Sequence, residues 1–293
     1  MSAPVLVAGA TGKQGGAAVR ALVAAGVPVR ALVRNPESDR ARALGVELAT
    51  GDMLDPGSLV SAVKGVRAVF SVQMPAFTEK GIDFAGEVTQ AANLMDAALQ
   101  EGVPQFIQST VDGAGKPIED DADPITAGSL NAKAAIQDRL RAAGFERWTL
   151  LKPGFFMENL APSFAYVFPR GVEGGLVSML KPATRLSLVA VRDIGTAVAH
   201  AVADPERFDR VELELASDYL SMAEIAEVLS RALGTELAAP DMTLEQARAA
   251  GLPETAAGHD RMNRTGMVGR PEFARALGLP LTTFAEWARE ELA

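Results

Sequence analysis

The strongest constraint on this chain lies in its first two dozen residues. An apolar run, Val5–Ala8, ends at Gly9; Gly9, Gly12 and Gly15 then recur at every third position, and a helical stretch over Gln14–Ala25 closes at Gly26. At a strand–turn–helix junction each glycine has its own job. The first permits the tight turn, the second lets a phosphate reach the backbone, and the third lets helix and strand pack closely. The helix N-terminus then faces the anion. A glycine pattern alone is weak, and an ordinary βα turn without a ligand is the alternative. Here a second β-rich run, Val29–Val33, follows at the distance of a parallel neighbour, which is the context the pattern requires. The segment Gly9-Ala10-Thr11-Gly12-Lys13-Gln14-Gly15 is therefore expected to bind a dinucleotide.

Which dinucleotide is set at the end of the second strand. A carboxylate there binds a free ribose 2′-hydroxyl. The sequence instead reads Val29-Arg30-Ala31-Leu32-Val33-Arg34-Asn35, with no carboxylate. A guanidinium at Arg34 can hold a 2′-phosphate bidentately, and Lys13 adds a second positive charge. The expected cofactor is NADP(H) rather than NAD(H). Asp52 and Met53, after the third strand, are placed at the adenine pocket, with Asp52 equally readable as a helix cap. Gln73 and Met74, after the fourth strand, are expected near the ribose or nicotinamide.

The rest of the first half alternates β-rich runs with helices, as parallel strands joined by crossovers do. Strands are read at Val46–Ala49, Ala68–Val72, Phe106–Thr110 and Trp148–Leu151, and helices at Asp55–Val63, Ile82–Gln100 and Leu130–Ala143. Phe84, Val88, Ala91, Met95 and Leu99 line one face of the long helix. Beyond Pro153 the period loosens through Pro182. A helix follows at Asp193–Ala203, a strand at Val211–Leu215, a helix at Met222–Leu233 opened by a capping box from Ser221 to Glu224, and a last helix at Thr283–Leu292. The fold class is α/β: a Rossmann-like, doubly wound, mostly parallel sheet with a small mixed α/β C-terminal lobe. Residues 1–152, with about 190–217 returning to the sheet, form the cofactor domain; 153–189 and 218–293 form a smaller substrate or partner lobe.

Composition narrows the function classes. The chain of 293 residues has no cysteine, which excludes thiolate metal sites, cysteine nucleophiles and disulfides. Its net charge of −9 makes nucleic acid a poor partner. No leader or membrane span is read, so a cytoplasmic location is expected. The run Glu119-Asp120-Asp121-Ala122-Asp123 lacks calcium-loop spacing and reads as a solvated face, so no metal is expected. Of the two histidines, His200 lies mid-helix among small apolar residues, and His259 falls in a polar loop at Gly258–Arg264.

Several blocks together resemble a known family. They are V-L-V-A-G-A-T-G-K-Q-G-G (Val5–Gly16), V-R-A-L-V-R-N-P (Val29–Pro36), G-D-M-L-D (Gly51–Asp55), W-T-L-L-K-P-G-F-F-M-E-N-L (Trp148–Leu160) and V-A-V-R-D-I-G (Val189–Gly195). The chain resembles the NmrA-like family of atypical short-chain dehydrogenase/reductases. The resemblance implies NADP(H) on a Rossmann domain. It also implies one of two roles. The first is an NADPH-dependent reductase of a small apolar carbonyl, quinone or enone; the second is a non-catalytic redox-sensing regulator that acts through a protein partner.

The catalytic centre is only half legible. Ordinary short-chain dehydrogenases pair a tyrosine with a lysine four residues on, beside a serine. Lys133 stands where the lysine is expected and Ser109 can be the serine, but Ser129 replaces the tyrosine. Lys133 can polarise the substrate itself, or only hold the cofactor. Tyr166, after the sixth strand, can donate the proton instead, or simply pack. Pro153, Phe155 and Phe156 follow that strand directly, where a ring can cover the nicotinamide or fill core. Asn159 can hydrogen-bond to a ligand or cap local backbone.

Overall fold

Apolar runs alternating with amphipathic stretches fold as that alternation requires, with short strands pairing in parallel and helices carrying the crossovers. A computed structural model describes residues 2–119, 122–256 and 258–292. In chain order the elements are β1 (Val5–Val7), α1 (Lys13–Ala24), β2 (Val29–Val33), α2 (Asp39–Arg42), β3 (Glu47–Thr50), α3 (Pro56–Val63), β4 (Ala68–Ser71), β5 (Ala76–Thr78), β6 (Gly81–Asp83), α4 (Phe84–Gln100), β7 (Gln105–Ser109), α5 (Pro124–Ala142) and β8 (Arg147–Pro153). There follow β9 (Phe155–Phe156), β10 (Arg185–Val189), α6 (Val191–Ala203), β11 (Val211–Leu215), β12 (Asp218–Ser221), α7 (Met222–Leu233), α8 (Leu244–Ala249), α9 (His259–Thr265), α10 (Pro271–Ala276) and α11 (Phe284–Glu291). Two units result. The first holds the chain up to Gly115, Gly128–Lys152 and Val191–Leu213; the second holds Lys116–Ala127, Pro153–Ala190 and the chain from Glu214 on.

A seven-stranded sheet in the order β11-β8-β7-β4-β1-β2-β3 organises the first unit. The pairs β1–β2, β1–β4, β2–β3, β4–β7 and β7–β8 are all parallel. The strand order reverses between β1 and β4, so the carboxyl ends of these two strands flank the topological switch point where ligands of open α/β sheets bind. One face of the sheet buries Leu6, Val69, Phe106 and Leu150 against Leu59, Leu94, Met95, Ile136 and Leu140 of α3, α4 and α5. On β11, Glu212 receives both Nε and Nη2 of Arg141 at 2.7 Å and Nζ of Lys152 at 2.7 Å. The Arg141 guanidinium, then Lys152, holds the Glu212 carboxyl down to about 2, which clamps the edge strand by charge.

Helix α6 lies against α1 at a glycine. A Cβ built on Gly195 would stand 2.3 Å from the Ala17 carbonyl oxygen, so the V-R-D-I-G block ends on the one residue that lets the two backbones meet. The second unit has its own sheet, β12-β10-β9, with β10 antiparallel to β12 and parallel to β9. Its core gathers Phe168, Leu186, Leu188, Met222, Ile225, Leu229, Phe284 and Trp287. Capping boxes open α7 (Ser221 with Glu224), α8 (Thr243 with Gln246) and α11 (Thr283 with Glu286). Among the described residues no helix is long and apolar enough to cross a membrane.

The structure departs from the sequence reading in several places, among them the following. Helix α5 begins at Pro124, six residues before the expected Leu130, because Asp123 Oδ1 accepts from the Ile125 and Thr126 amides and caps it. Ile82 lies in a β-hairpin, β5 with β6, rather than in the long helix, whose cap is Asp83. Strands β10 and β12 were not expected from the pattern. The loose stretch after Pro153 holds β9 and three short 3-10 turns.

Gly195→Ala tests the α1–α6 contact. Alanine in an unobstructed helix would stabilise by up to ~1 kcal/mol; here the expected outcome is a loss of about 1–3 kcal/mol from overpacking, read as a lower urea midpoint at unchanged slope.

Candidate functional site

The glycine turn is built by contact of backbone with backbone. Gly9 adopts φ +63° and its Cβ would stand 2.9 Å from Val72 Cγ1, over the end of β4. A Cβ on Gly15 would fall 2.1 Å from the Gly9 carbonyl oxygen, so no side chain fits there. The Gly12 amide donates to that same oxygen at 2.9 Å. Gly12 is the N-cap of α1, with no side-chain cap and no acidic residue in the first turn. A twelve-residue helix thus starts with no side-chain oxygen from its N-cap to satisfy its first amides. Such an end, bordered by Ala10, Thr11, Lys13 and Gln14, can hold an anion such as a pyrophosphate.

Arg34 follows β2 directly, is exposed, and makes no hydrogen bond or ion pair with another described residue. Its fork is therefore available to a ligand. Asp52 is not a helix cap: its Oδ1 accepts from the Leu54 amide at 2.9 Å, whereas Asp55 caps α3 through the Gly57 amide. Met53 accepts from Asn93 Nδ2 through its carbonyl at 2.9 Å and lies 3.8 Å from Gln73 Nε2 through its sulfur. Met74, by contrast, is 72% exposed.

Behind the turn lies a buried polar network. Gln73 Nε2 donates to Ser71 Oγ at 2.6 Å, and Gln108 Nε2 donates to Gln73 Oε1 at 2.9 Å and to the Ser109 carbonyl at 2.7 Å. Ser109 Oγ donates to Gln14 Oε1 at 2.6 Å. Ser109 is thus tied to the first turn of α1 and makes no hydrogen bond to Lys133. Lys133, on α5, donates instead to Glu87 Oε1 at 2.5 Å and to the Gln73 carbonyl at 3.3 Å. Its side chain is 12% exposed and that of Glu87 is wholly buried. Glu87 Oε2 has no hydrogen-bond partner among the described residues.

Glu87 is the site residue that sequence reasoning missed. A signal existed: Glu87 precedes Ala91, Leu94, Met95 and Ala98 at the spacing of the buried stripe of α4. A carboxylate on an apolar stripe needs a buried cation, and Lys133 supplies it.

The second unit carries the remaining candidates. Tyr166 OH lies 3.2 Å from His259 Nε2, and Ser178 Oγ lies 3.1 Å from His259 Nδ1. His259 is not in a polar loop. It is the first residue of α9 and only 3% exposed, and burial pushes its imidazole down to about 4. Burial pushes the Tyr166 phenol up to about 12. Phe155 is buried core, with its ring centroid 5.7 Å from that of His259 and 6.4 Å from that of Tyr166. Pro153 is buried as well, whereas Phe156 and Asn159 are half-buried. Gly154 lets β9 approach β10, since its Cβ would stand 2.1 Å from the Ser187 carbonyl oxygen. Glu119 is not simply solvated, because Arg261 Nε donates to its Oε2 at 2.9 Å; Asp120 and Asp121 lie outside the described residues. Among the described residues no cluster of three or more histidine or carboxylate groups could hold a metal ion.

A model of the NmrA-like family matches residues 1–258. The chain belongs to the NmrA-like family. A NAD(P)H azoreductase of Xenophilus azovorans is 32% identical over 99% of this chain and 98% of its own length. Among solved structures, the triphenylmethane reductase of Citrobacter sp., complexed with NADP(H), superposes with a TM-score of 0.81 at 23% identity, covering 99% of this chain and all (100%) of that one. NmrA, a negative transcriptional regulator crystallised with NADP, gives 0.76 at 19% identity, covering 100% of this chain and 96% of that one. The two structural likenesses carry the fold, which has a seven-stranded, mostly parallel Rossmann-like sheet and a small mixed sheet.

Burial pushes the folded-state His259 imidazole from the ordinary value of about 6.5, which the unfolded chain keeps, down to about 4. The unfolded chain therefore binds the extra proton between these values. The stability that depends on the neutral ring is fully present above about pH 6.5 and is lost as pH falls toward 4, by roughly 3 kcal/mol in all. His259→Gln is expected to flatten the fall in urea stability between neutral pH and pH 4.5, with equal falls in both proteins counting against the buried neutral ring.

Proposed function

We propose that this chain is an NADPH-dependent reductase of a small, apolar carbonyl, quinone or enone. The observation that carries this reading is the Lys133 ammonium, held by Glu87 and by the Gln73 carbonyl just past the carboxyl end of β4, in the same unit as the glycine turn. Ligands of open α/β sheets lie at those strand ends. Support for the cofactor comes from the uncapped start of α1 over Gly9–Gly15, which suits a pyrophosphate, and from the unpaired Arg34 guanidinium, which suits a 2′-phosphate. Asp52 and Met53 border the adenine end on this reading, and Gln73 and Met74 the ribose and nicotinamide. The azoreductase and triphenylmethane reductase relatives, named for NAD(P)H and crystallised with NADP(H), support it further.

The bound NADPH would supply a hydride. The protein's part is then to meet the negative charge that develops on the acceptor atom. An ammonium has three N–H donors, and two of those on Lys133 are engaged by Glu87 and Gln73. The third is left to hydrogen-bond to the acceptor and then to pass it a proton, which water returns to the lysine. Hydride and proton together reduce the acceptor by two electrons, saturating one double bond of a carbonyl or enone and converting a quinone to its hydroquinone. This assigns the proton to Lys133 and makes the absent tyrosine at Ser129 unnecessary. Ser109 acts on this reading by fixing Gln14 at the turn.

The second reading, a redox-sensing regulator with a protein partner, draws on Ser129 in place of tyrosine and on the fold shared with a transcriptional regulator. One assay separates the two. Purified protein is screened for NADPH oxidation with menadione, aldehydes, enones and azo dyes, beside Lys133→Ala. Turnover that drops about a hundredfold in the variant with NADPH affinity kept supports the reductase. No turnover with any acceptor, together with NADPH-dependent affinity for a protein, supports the regulator. For the cofactor, Arg34→Ala is expected to weaken NADPH binding by about ten- to a hundredfold and to leave NADH nearly unchanged; equal losses for both would remove the 2′-phosphate role.

A further inference from the structure

Glu87 deserves a role of its own. It is wholly buried on α4, one carboxylate oxygen meets Lys133 Nζ at 2.5 Å, and the other has no donor among the described residues. A lone ammonium beside a bound acceptor would attract carboxylates and sulfonates. With Glu87 against it, the couple is neutral as a whole yet still offers one N–H. An anion brought to that N–H would also face the Glu87 carboxylate within a few ångströms, in a place that water screens poorly. An uncharged oxygen takes the same hydrogen bond without that repulsion.

We infer that Glu87 sets the charge specificity of the site: it positions Lys133 as a donor and makes the couple select acceptors whose reacting end is uncharged, rejecting anions. This rests on Lys133 being the group that meets the substrate. Specificity here comes from repulsion of the wrong ligand as much as attraction of the right one. The bare Oε2 adds to the effect, since it can be satisfied by a donor but not by an anion.

The test uses naphthamide and naphthoate, which match in shape and differ in charge, titrated calorimetrically into the full chain loaded with NADP⁺. The wild type is expected to bind naphthamide at least tenfold more tightly. Glu87→Gln, which keeps the shape and removes the charge, is expected to gain about tenfold or more for naphthoate and so erase or invert the preference. Glu87→Asp, which keeps the charge, is expected to restore the wild-type order. NADPH affinity, read separately by its fluorescence, stays within about threefold in both variants. A purely structural Glu87 would weaken both ligands alike. The inference is overturned if wild type binds naphthoate as well as naphthamide, a result that needs no variant to fold, or if Glu87→Gln leaves the ratio unchanged. Menadione turnover distinguishes the two levels. If Lys133→Ala abolishes it and the ratio does not move in Glu87→Gln, the specificity role alone fails; if Lys133→Ala reduces menadione as fast as wild type, the assignment of Lys133 fails and takes the specificity role with it.

Discussion

The position of α1 follows from two places where backbone touches backbone. At its start Gly15 lies on the carbonyl of Gly9, where an added Cβ would stand 2.1 Å from the oxygen. On its flank the Ala17 carbonyl lies against Gly195 of α6 at 2.3 Å from the corresponding position. Between them Gly15, Gly16, Ala17 and Ala18 are all buried. A helix fixed this closely cannot drift along the sheet, so its uncapped N-terminus stays at the switch point between β1 and β4. The proposed chemistry of the first unit depends on that placement. Ser109 reaches Gln14 only because the first turn of α1 is held beside the end of β7.

Against this rigid frame the Lys133–Glu87 pair is an expensive feature. Burying an ionised carboxylate costs several kcal/mol, and pairing it with a lysine roughly offsets that cost without a surplus. Two apolar side chains of similar volume would serve the core between α4 and α5 at least as well. One carboxylate oxygen is moreover left without a donor, which adds a penalty of about 1–3 kcal/mol or more. Ionisable groups kept where they do not improve stability concentrate at functional sites. The pair lies beside Gln73, directly after β4, whereas a purely structural pair would have no reason to favour that end of the sheet.

How much of this was legible in the sequence varied with the range of the interactions involved. The strands Val29–Val33 and Val211–Leu215 and the helix Met222–Leu233 were readable to the residue, because propensity, caps and periodicity agreed there. The start of α5 was misread because Asp123 caps it from inside a run that reads as a solvated acidic face. Strands β10 and β12 escaped because each finds its partner across more than twenty residues, with no turn signal to join them. At the site the geometry of the glycine turn was legible because it is made by contacts within a few residues; the roles given to the turn and to Arg34 belong to the proposed function. Glu87 was legible only as a carboxylate on an apolar stripe, since its partner Lys133 is 46 positions away. His259 was misplaced for the same reason: its partners Tyr166 and Ser178 are 93 and 81 positions distant.

The environment of those last three residues favours the proposed assignment of the proton to Lys133. A proton donor or base works best with a pKa near the working pH. Burial moves Tyr166 up to about 12 and His259 down to about 4. Each moves away from neutrality, in the direction that makes the tyrosine a poorer acid and the histidine a poorer base. Their hydrogen bonds instead pair them with each other and with Ser178, whose Oγ also accepts from the Leu180 amide at 3.1 Å. Such a satisfied buried chain rigidifies; it pins the irregular segment from Tyr166 to Leu180 onto the start of α9. Lys133 differs in the respect that matters for chemistry: two of its three donors are held by Glu87 and Gln73, and the third is left for whatever binds there.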